Sequence, residues 1–224
     1  VQGGRYKLYM PDELRQMGYV HGAEWFEKVQ KLWTERATEK SKRNFPRFID
    51  AIDYQGLLTA QNPAKRFVVL YNVAGKNLAS CVIDRQKLPN IYMGRTPIVP
   101  KGFIADKATM FYETNDEDEA YYLAAVLNSD IVNEAIKPLQ TKGLFGERGI
   151  VRRPLTLPIP KFDPQNPVHL RLAELGRRCS EKAAKLAFPD SAAVARKRAR
   201  EYLKKELEEI NALVSKLLRL GGPA

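Results

Sequence analysis

The chain has 224 residues, 44% hydrophobic and 28% charged. Those values exclude disordered, collagen-like and low-complexity classes and allow one large domain or a domain with an appendage. Lys plus Arg number 37 against 26 Asp plus Glu, a net charge of +11, so the expected partner is acidic, nucleic acid before an anionic membrane face.

Residues 5–10 alternate and are expected as a short strand, stopped by Pro11-Asp12; residues 12–17 make one helical turn, ended by Gly18. From 23 to about 42 the pattern is helical. Phe26, Val29, Trp33 and Ala37 recur at steps of three and four, and Lys40, Lys42 and Arg43 suit the C-terminal end of a helix dipole. Asn44 and Pro46 break it. Residues 65–71 then read as a strand, 72–77 as a turn and 78–83 as the returning antiparallel strand. The stretch 85–102 reads as a long basic loop with one aromatic, Tyr92; long loops in compact domains are functional or disordered. Residues 103–112 resume as one or two strands.

Asn115, followed by the acids 116–119, is expected to cap an apolar helix running through Tyr122, Val126 and Leu127. A cap explains those acids better than a metal site does. Asn128-Ser129-Asp130 breaks that helix, and a second covers 131–136. Between 137 and 161 stand six cations (Lys137, Lys142, Arg148, Arg152, Arg153 and Lys161) against one acid, Glu147. Glycines 143, 146 and 149 mark a flexible loop, and Leu155-Thr156-Leu157-Pro158-Ile159-Pro160 is expected to be extended, since its two prolines oppose a helix. Leu172, Leu175, Cys179 and Leu186 mark a helix ended by Phe188-Pro189. Leu203, Leu207, Ile210, Val214 and Leu217 step by 4, 3, 4 and 3, an a/d seam that predicts an antiparallel helical hairpin. Arg196, Lys197, Arg198 and Arg200 crowd the start of the second helix, where cations oppose the dipole.

The two cysteines, Cys81 and Cys179, form no CxxC pair, so a cysteine zinc site is not expected. His21 and His169 lie in no ligand-spaced cluster. GxSxG, Walker and GxGxxG motifs are lacking. The first residue is Val, and the opening is neither a signal nor a transit segment. The expectation is a cytoplasmic polypeptide cut from a longer protein.

The stretch Glu119-Ala120-Tyr121-Tyr122-Leu123-Ala124-Ala125-Val126-Leu127-Asn128-Ser129 resembles a helix in the target-recognition region of N6-adenine DNA methyltransferases of prokaryotic restriction-modification systems. The parts that follow occur in the order of the TaqI-like specificity domain. They are a glycine-containing gap (143–149), Leu157-Pro158-Ile159-Pro160 with Lys161-Phe162-Asp163-Pro164, a helix at 169–184 and a helix at 209–218. The resemblance covers roughly residues 60–220. Those enzymes carry an (Asn/Asp)-Pro-Pro-(Tyr/Phe) motif that holds the flipped adenine. This chain has only Asn62-Pro63-Ala64-Lys65 and Asn166-Pro167-Val168-His169. The resemblance therefore implies a specificity domain without its catalytic half. This chain alone would not be an enzyme, and S-adenosylmethionine belongs to the missing catalytic domain.

The fold expected is mixed α/β (α+β), with an antiparallel sheet packed with helices and a C-terminal antiparallel helical hairpin. A target-recognition domain spans 1–164, and the hairpin spans 165–224, packed on that domain or on a partner. The expected function is recognition of a short duplex DNA site for a linked methyltransferase domain. The candidate DNA contacts are Arg85, Lys87, Arg95 and Lys101, then Lys142, Arg148, Arg152 and Arg153; Arg to guanine is the favoured base contact. Two alternatives stand beside it. One is an interaction module pairing through Leu203, Leu207, Ile210, Val214 and Leu217. The other is a nuclease assembled from dispersed acids such as Asp50, Asp53, Asp84 and Asp106.

Overall fold

The computed structural model describes residues 4–106, 108–143, 146–187 and 191–218. The chain divides into two units between Ala64 and Lys65. The boundary expected near residue 164 lies inside the second unit, because the helices beyond it share the core of the sheet.

The first unit is helical: α1 (Pro11–Gln16), α2 (Val20–Arg36), α3 (Glu39–Asn44) and α4 (Phe48–Ile52). Arg5 makes a single β-bridge, and residues 6–10 lead into α1 with no strand assignment. Pro11 opens α1, the Glu13 carboxylate accepts from Met10 N–H at 2.8 Å, and Gly18, at φ +83°, stops the turn that follows. The long helix expected to about residue 42 ends at Arg36 instead. Ala37 is extended, and the Thr38 hydroxyl accepts from Ser41 N–H at 3.2 Å, capping a new helix. The Trp33 indole N–H donates to Phe45 O at 3.0 Å, and Gln30 Oε1 accepts from Phe48 N–H at 2.7 Å. Those two bonds from α2 hold the chain where it turns into α4.

The second unit begins with β1 (Phe67–Asn72) and β2 (Ser80–Asp84), the expected antiparallel hairpin, with Val69 opposite Val82. Next come a separate two-stranded ribbon, β3 (Ile91–Met93) and β4 (Thr96–Ile98), and then β5 (Thr109–Thr114), which pairs with the free side of β1. The sheet order is β2-β1-β5, so β1 is central and buried on both faces. Phe67, Val69 and Tyr71 join the main core; Val68 and Leu70 meet Ala105 on the other face, beside Phe103 and Phe111. The stretch 85–102 is thus not an unbroken loop. Pro97 hid β4 from a reading by propensity; its ring is accommodated on a strand whose outer side is open.

Helix α5 (Glu117–Asn128) packs on the main-core face of the sheet, followed by α6 (Asp130–Ile136). The cap of α5 is Asp116, one residue later than expected, accepting from the N–H groups of Asp118 and Glu119. Asn115 instead accepts from Arg66 N–H at 3.0 Å. Ser129 ends α5 and caps α6 through Val132 N–H. The two-residue strands β6 (Lys142–Gly143) and β7 (Gly146–Glu147) follow; part of the expected glycine loop, 144–145, lies outside the described residues. Residues 153–156 form a 3-10 turn and 157–160 form no strand; Ile159 N–H donates to Leu157 O at 2.8 Å, a tight turn at Pro158, and Leu157 and Ile159 are laid on the core.

The C-terminal helices are α7 (Pro167–Ala183), α8 (Ala192–Tyr202) and α9 (Lys204–Leu218). Asn166 caps α7, which ends before the expected stop at Phe188-Pro189; those two residues, with Asp190, lie outside the described part. The second arm of the hairpin is broken at Leu203 into α8 and α9. On α9 the seam is buried at Leu207, Ile210 and Val214, with Leu203 at its start; Leu218, not Leu217, completes it. A fully buried acid, Glu206, lies between Arg178 (3.1 Å) and Lys182 (3.0 Å). Burial alone would raise its pKa, but the two cations hold it below the ordinary carboxylate range. No helix among the described residues is long and apolar enough to cross a membrane.

Two predictions follow from this packing. A Cβ on Gly176 of α7 would stand 2.3 Å from Tyr121 O of α5, so Gly176→Ala forces the helices apart. Chemical denaturation should show a loss of about 1–3 kcal/mol. His169 is 3% exposed, and its Nδ1 accepts from Asp163 N–H at 3.0 Å. Burial pushes its pKa below 6.5, so the unfolded chain binds a proton at higher pH than the folded one. Its stabilisation is complete above about pH 6.5 and is lost as pH falls through the lowered folded value. Thermal melts should decline over that window, and His169→Gln should flatten the decline.

Candidate nucleic-acid interface

Pairing separates the cations of the second unit into two groups. Arg66 donates to Asp84 at 2.8 Å and holds that carboxyl below its ordinary range. Arg171 binds Glu209 and Glu174, and Arg177 binds Asp118 at 2.5 Å. Arg200 pairs with Asp130, while Arg196 donates to Leu78 O at 3.1 Å. Half of the basic cluster at the start of the expected second helix therefore fastens α8 to the body of the unit. Lys87, Arg95, Lys101, Arg152 and Arg153 are exposed and form no ion pair with any described residue.

Three of the five stand on or beside the β3–β4 ribbon. Met93 pairs with Thr96, leaving Gly94-Arg95 as a two-residue turn. Gly94 has φ +62°, at the first central position where type II′ hairpin turns need glycine. Arg95 is thereby presented at the tip. Every residue from 91 to 99 is exposed, so the ribbon stands off the sheet. Lys87 flanks its entry and Lys101 its exit.

Arg85 is a correction. Its side chain is 7% exposed and binds Glu113, itself 11% exposed, at 2.7 Å. It also donates to Lys65 O at 2.9 Å and to Phe103 O at 3.2 Å. Those bonds tie the exit of β2 to the strand β5 and to the segment by which the chain returns from the ribbon. Arg85 is a clasp beneath the ribbon and is not free to meet a ligand. Its sequence neighbours gave no sign of this, because Glu113 lies 28 residues away.

The second basic group sits elsewhere. Gly75 N–H donates to Arg148 O, and Ile150 and Val151 N–H donate to Val73 O, so 148–151 lies against the turn after β1. The ribbon leaves from the opposite end of that strand, roughly 17 Å away at the rise of a β-strand. Arg148 is exposed but engaged in a contact of its own. Arg152 and Arg153 lead into the 3-10 turn. Lys142 lies on β6, and its side chain is outside the described part. The two groups are thus not gathered into one patch. The residues missed by the sequence reading are the apolar ones of the ribbon: Ile91, Met93, Ile98 and Val99. Their signal was a Gly-Arg pair between two short β-prone runs.

The residues of the alternative sites have partners within the chain. Leu203, Leu207, Ile210 and Val214 are packed in this chain's own core with Leu217 partly buried against it, and Leu203, Leu207 and Ile210 also line a cavity shared with β2, α5, α7 and α8. Asp50 is bound by Arg47, Asp53 accepts from Leu58 and Thr59, Asp84 is bound by Arg66, and Asp106 accepts from Ala108 N–H. Among the described residues no group of three or more His, Cys, Asp or Glu is placed to hold a metal. The chain matches no protein-family model, no curated protein and no solved structure.

Arg85→Met would leave Glu113 buried without its arginine. Urea denaturation should show a loss of about 3–5 kcal/mol. Lys87→Ala, an exposed change two residues away, should stay within about 0.5 kcal/mol of the parent.

Proposed function

We propose that this chain carries a duplex-DNA recognition module, with the β3–β4 ribbon as its reading element. The observation that carries this reading is an exposed ribbon with an unpaired arginine at its glycine turn and unpaired lysines at its entry and exit. Its dimensions suit the task. Two strands lie about 4.8 Å apart, and the major groove, about 12 Å wide, admits a two-stranded ribbon. Arg95 then meets base edges, where its fork matches guanine O6 and N7. Lys87 and Lys101 meet phosphates, which set register without reading sequence.

The module is read as the specificity part of an N6-adenine DNA methyltransferase of the restriction-modification kind. That step rests on the resemblance of residues 119–129, 157–164, 169–184 and 209–218. On this reading catalysis and S-adenosylmethionine reside in a separate catalytic domain. The exposed Arg152 and Arg153, at the other end of β1, form a second phosphate-contact group.

A binding titration of the full chain against salt tests the reading. With roughly four to six phosphate contacts, the log–log slope should be about −4 to −5. Lys87→Ala should make that slope about one unit shallower and weaken all sequences alike. Arg95→Ala should instead relax the sequence preference of duplexes selected from a random pool, by about 1–3 kcal/mol of discrimination at one position. A flat salt response refutes the reading, and an unchanged selected sequence removes Arg95 from it.

A further inference from the structure

The ribbon carries more apolar surface than base-edge reading requires. Ile91 faces Ile98 across the two strands, with Met93 on the same side; Tyr92 and its partner Pro97 occupy the other side. Both sides are open to solvent. Tyr92 is 66%, Met93 68% and Val99 72% exposed. An isolated two-stranded ribbon is marginal in water, and exposed apolar clusters of this kind mark surfaces that a partner covers. The partner's charge is also legible. From Arg85 to Ala105 the chain has no acidic residue and four cations, one of them the Arg85 clasp. An apolar arm bordered only by positive charge matches a ligand with an anionic exterior and an apolar interior. In duplex DNA that interior is the stack of base faces.

The tip is built to enter it. Met93 is the last paired residue before the turn, and Gly94 has no neighbouring atom within 4 Å of where a Cβ would stand. The end of the ribbon is therefore open on the glycine side. Methionine is unbranched, flexible and polarizable, which suits it to a thin gap. Methionine is also among the side chains used as wedges between base steps. Tyr92 lies one residue behind, opposite Pro97.

We propose that Met93 inserts between adjacent bases beside the Arg95 contact, unstacking and kinking the duplex. The preferred substrate is then DNA with a flexible pyrimidine–purine step at that place, because such steps unstack and kink most readily. This rests on the DNA reading above and adds that the ribbon selects deformability as well as base edges. The competing arrangement keeps the stack intact and lays Met93 against a thymine methyl in the major groove.

The test uses the full chain and short duplexes with 2-aminopurine beside a central TA or CA step, labelled at both ends for distance measurement. Binding should raise the 2-aminopurine fluorescence and bring the ends closer. Met93→Ala should abolish both changes while the salt-dependent binding persists, and Met93→Leu should restore them. Affinity for the flexible-step duplex should exceed that for a stiff A-tract duplex by about fivefold or more. Three results overturn the proposal and leave the DNA reading standing. They are saturable binding with unchanged fluorescence, the same fluorescence rise in Met93→Ala, and an affinity lost only when thymine is replaced by uracil. Absence of binding to any duplex at low salt overturns both. Self-association that Met93→Ala removes, without DNA binding, assigns the ribbon to a second copy of the chain and likewise overturns both.

Discussion

Helix α5 has to be buried on nearly every side, and the second unit is arranged to make that possible. It lies between the sheet and α7, with α6 and α9 also against it. A helix can be enclosed this way only if neighbours approach closely and its end groups are satisfied. Ala120, Ala124 and Ala125 supply the small surface on α5, and Gly176 supplies it on α7, where the backbone of Tyr121 occupies the space of a side chain. Asp116 satisfies the first turn and Ser129 caps the helix that follows. The last residue of α5, Asn128, turns outward to β2. It accepts from Ser80 N–H at 3.0 Å and donates to Ser80 O at 2.8 Å. An edge of the sheet is thereby paired by a side chain where another strand would otherwise be required.

How far the sequence could be read depended on the range of the forces involved. The β1–β2 hairpin, the caps near 116 and 129 and the periodicity of α9 depend on neighbours a few residues apart, and they were legible. The ribbon was local too, yet Pro97 disguised it, because proline counts against a strand unless the outer side of that strand is known to be open. The break at Leu203 was not legible, since the a/d spacing continues across it. Helical bonds still run through it, from Leu203 N–H to Ala199 O and from Leu207 N–H to Leu203 O, while Arg196 and Arg200 fasten α8 to Leu78 O and Asp130. The role of Arg85 was the least accessible, because a buried ion pair across 28 residues leaves no pattern in composition or spacing.

For function, the structure works by subtraction. A net charge of +11 says little about where an anion would bind. Matching cations with carboxylates removes part of the set; Lys76, Lys161, Lys185, Arg198, Lys205 and Lys216 also stay exposed without an ion pair to a described residue, scattered over loops and helix faces. Arg66, Arg171, Arg177, Arg178, Lys182 and Arg200 neutralise acids between elements. Lys87, Arg95 and Lys101 border an apolar arm, and Arg152 and Arg153 stand at the far end of β1. The sequence reading had these five exposed residues in its candidate set. It could not separate them from Arg85, whose charge is spent inside the fold.

The clasp at Arg85 gives the ribbon an unusual independence. Everything between Gln86 and Gly102 enters and leaves through one closed neck, where Arg85 holds Phe103 O and Glu113. Phe103 and Ala105, just beyond the neck, already belong to the packing under the sheet. Exchanges of length, turn type or tip chemistry inside that interval meet solvent and not core. The scaffold is constrained by close helix packing, while the tip of the arm can change without rebuilding what it stands on.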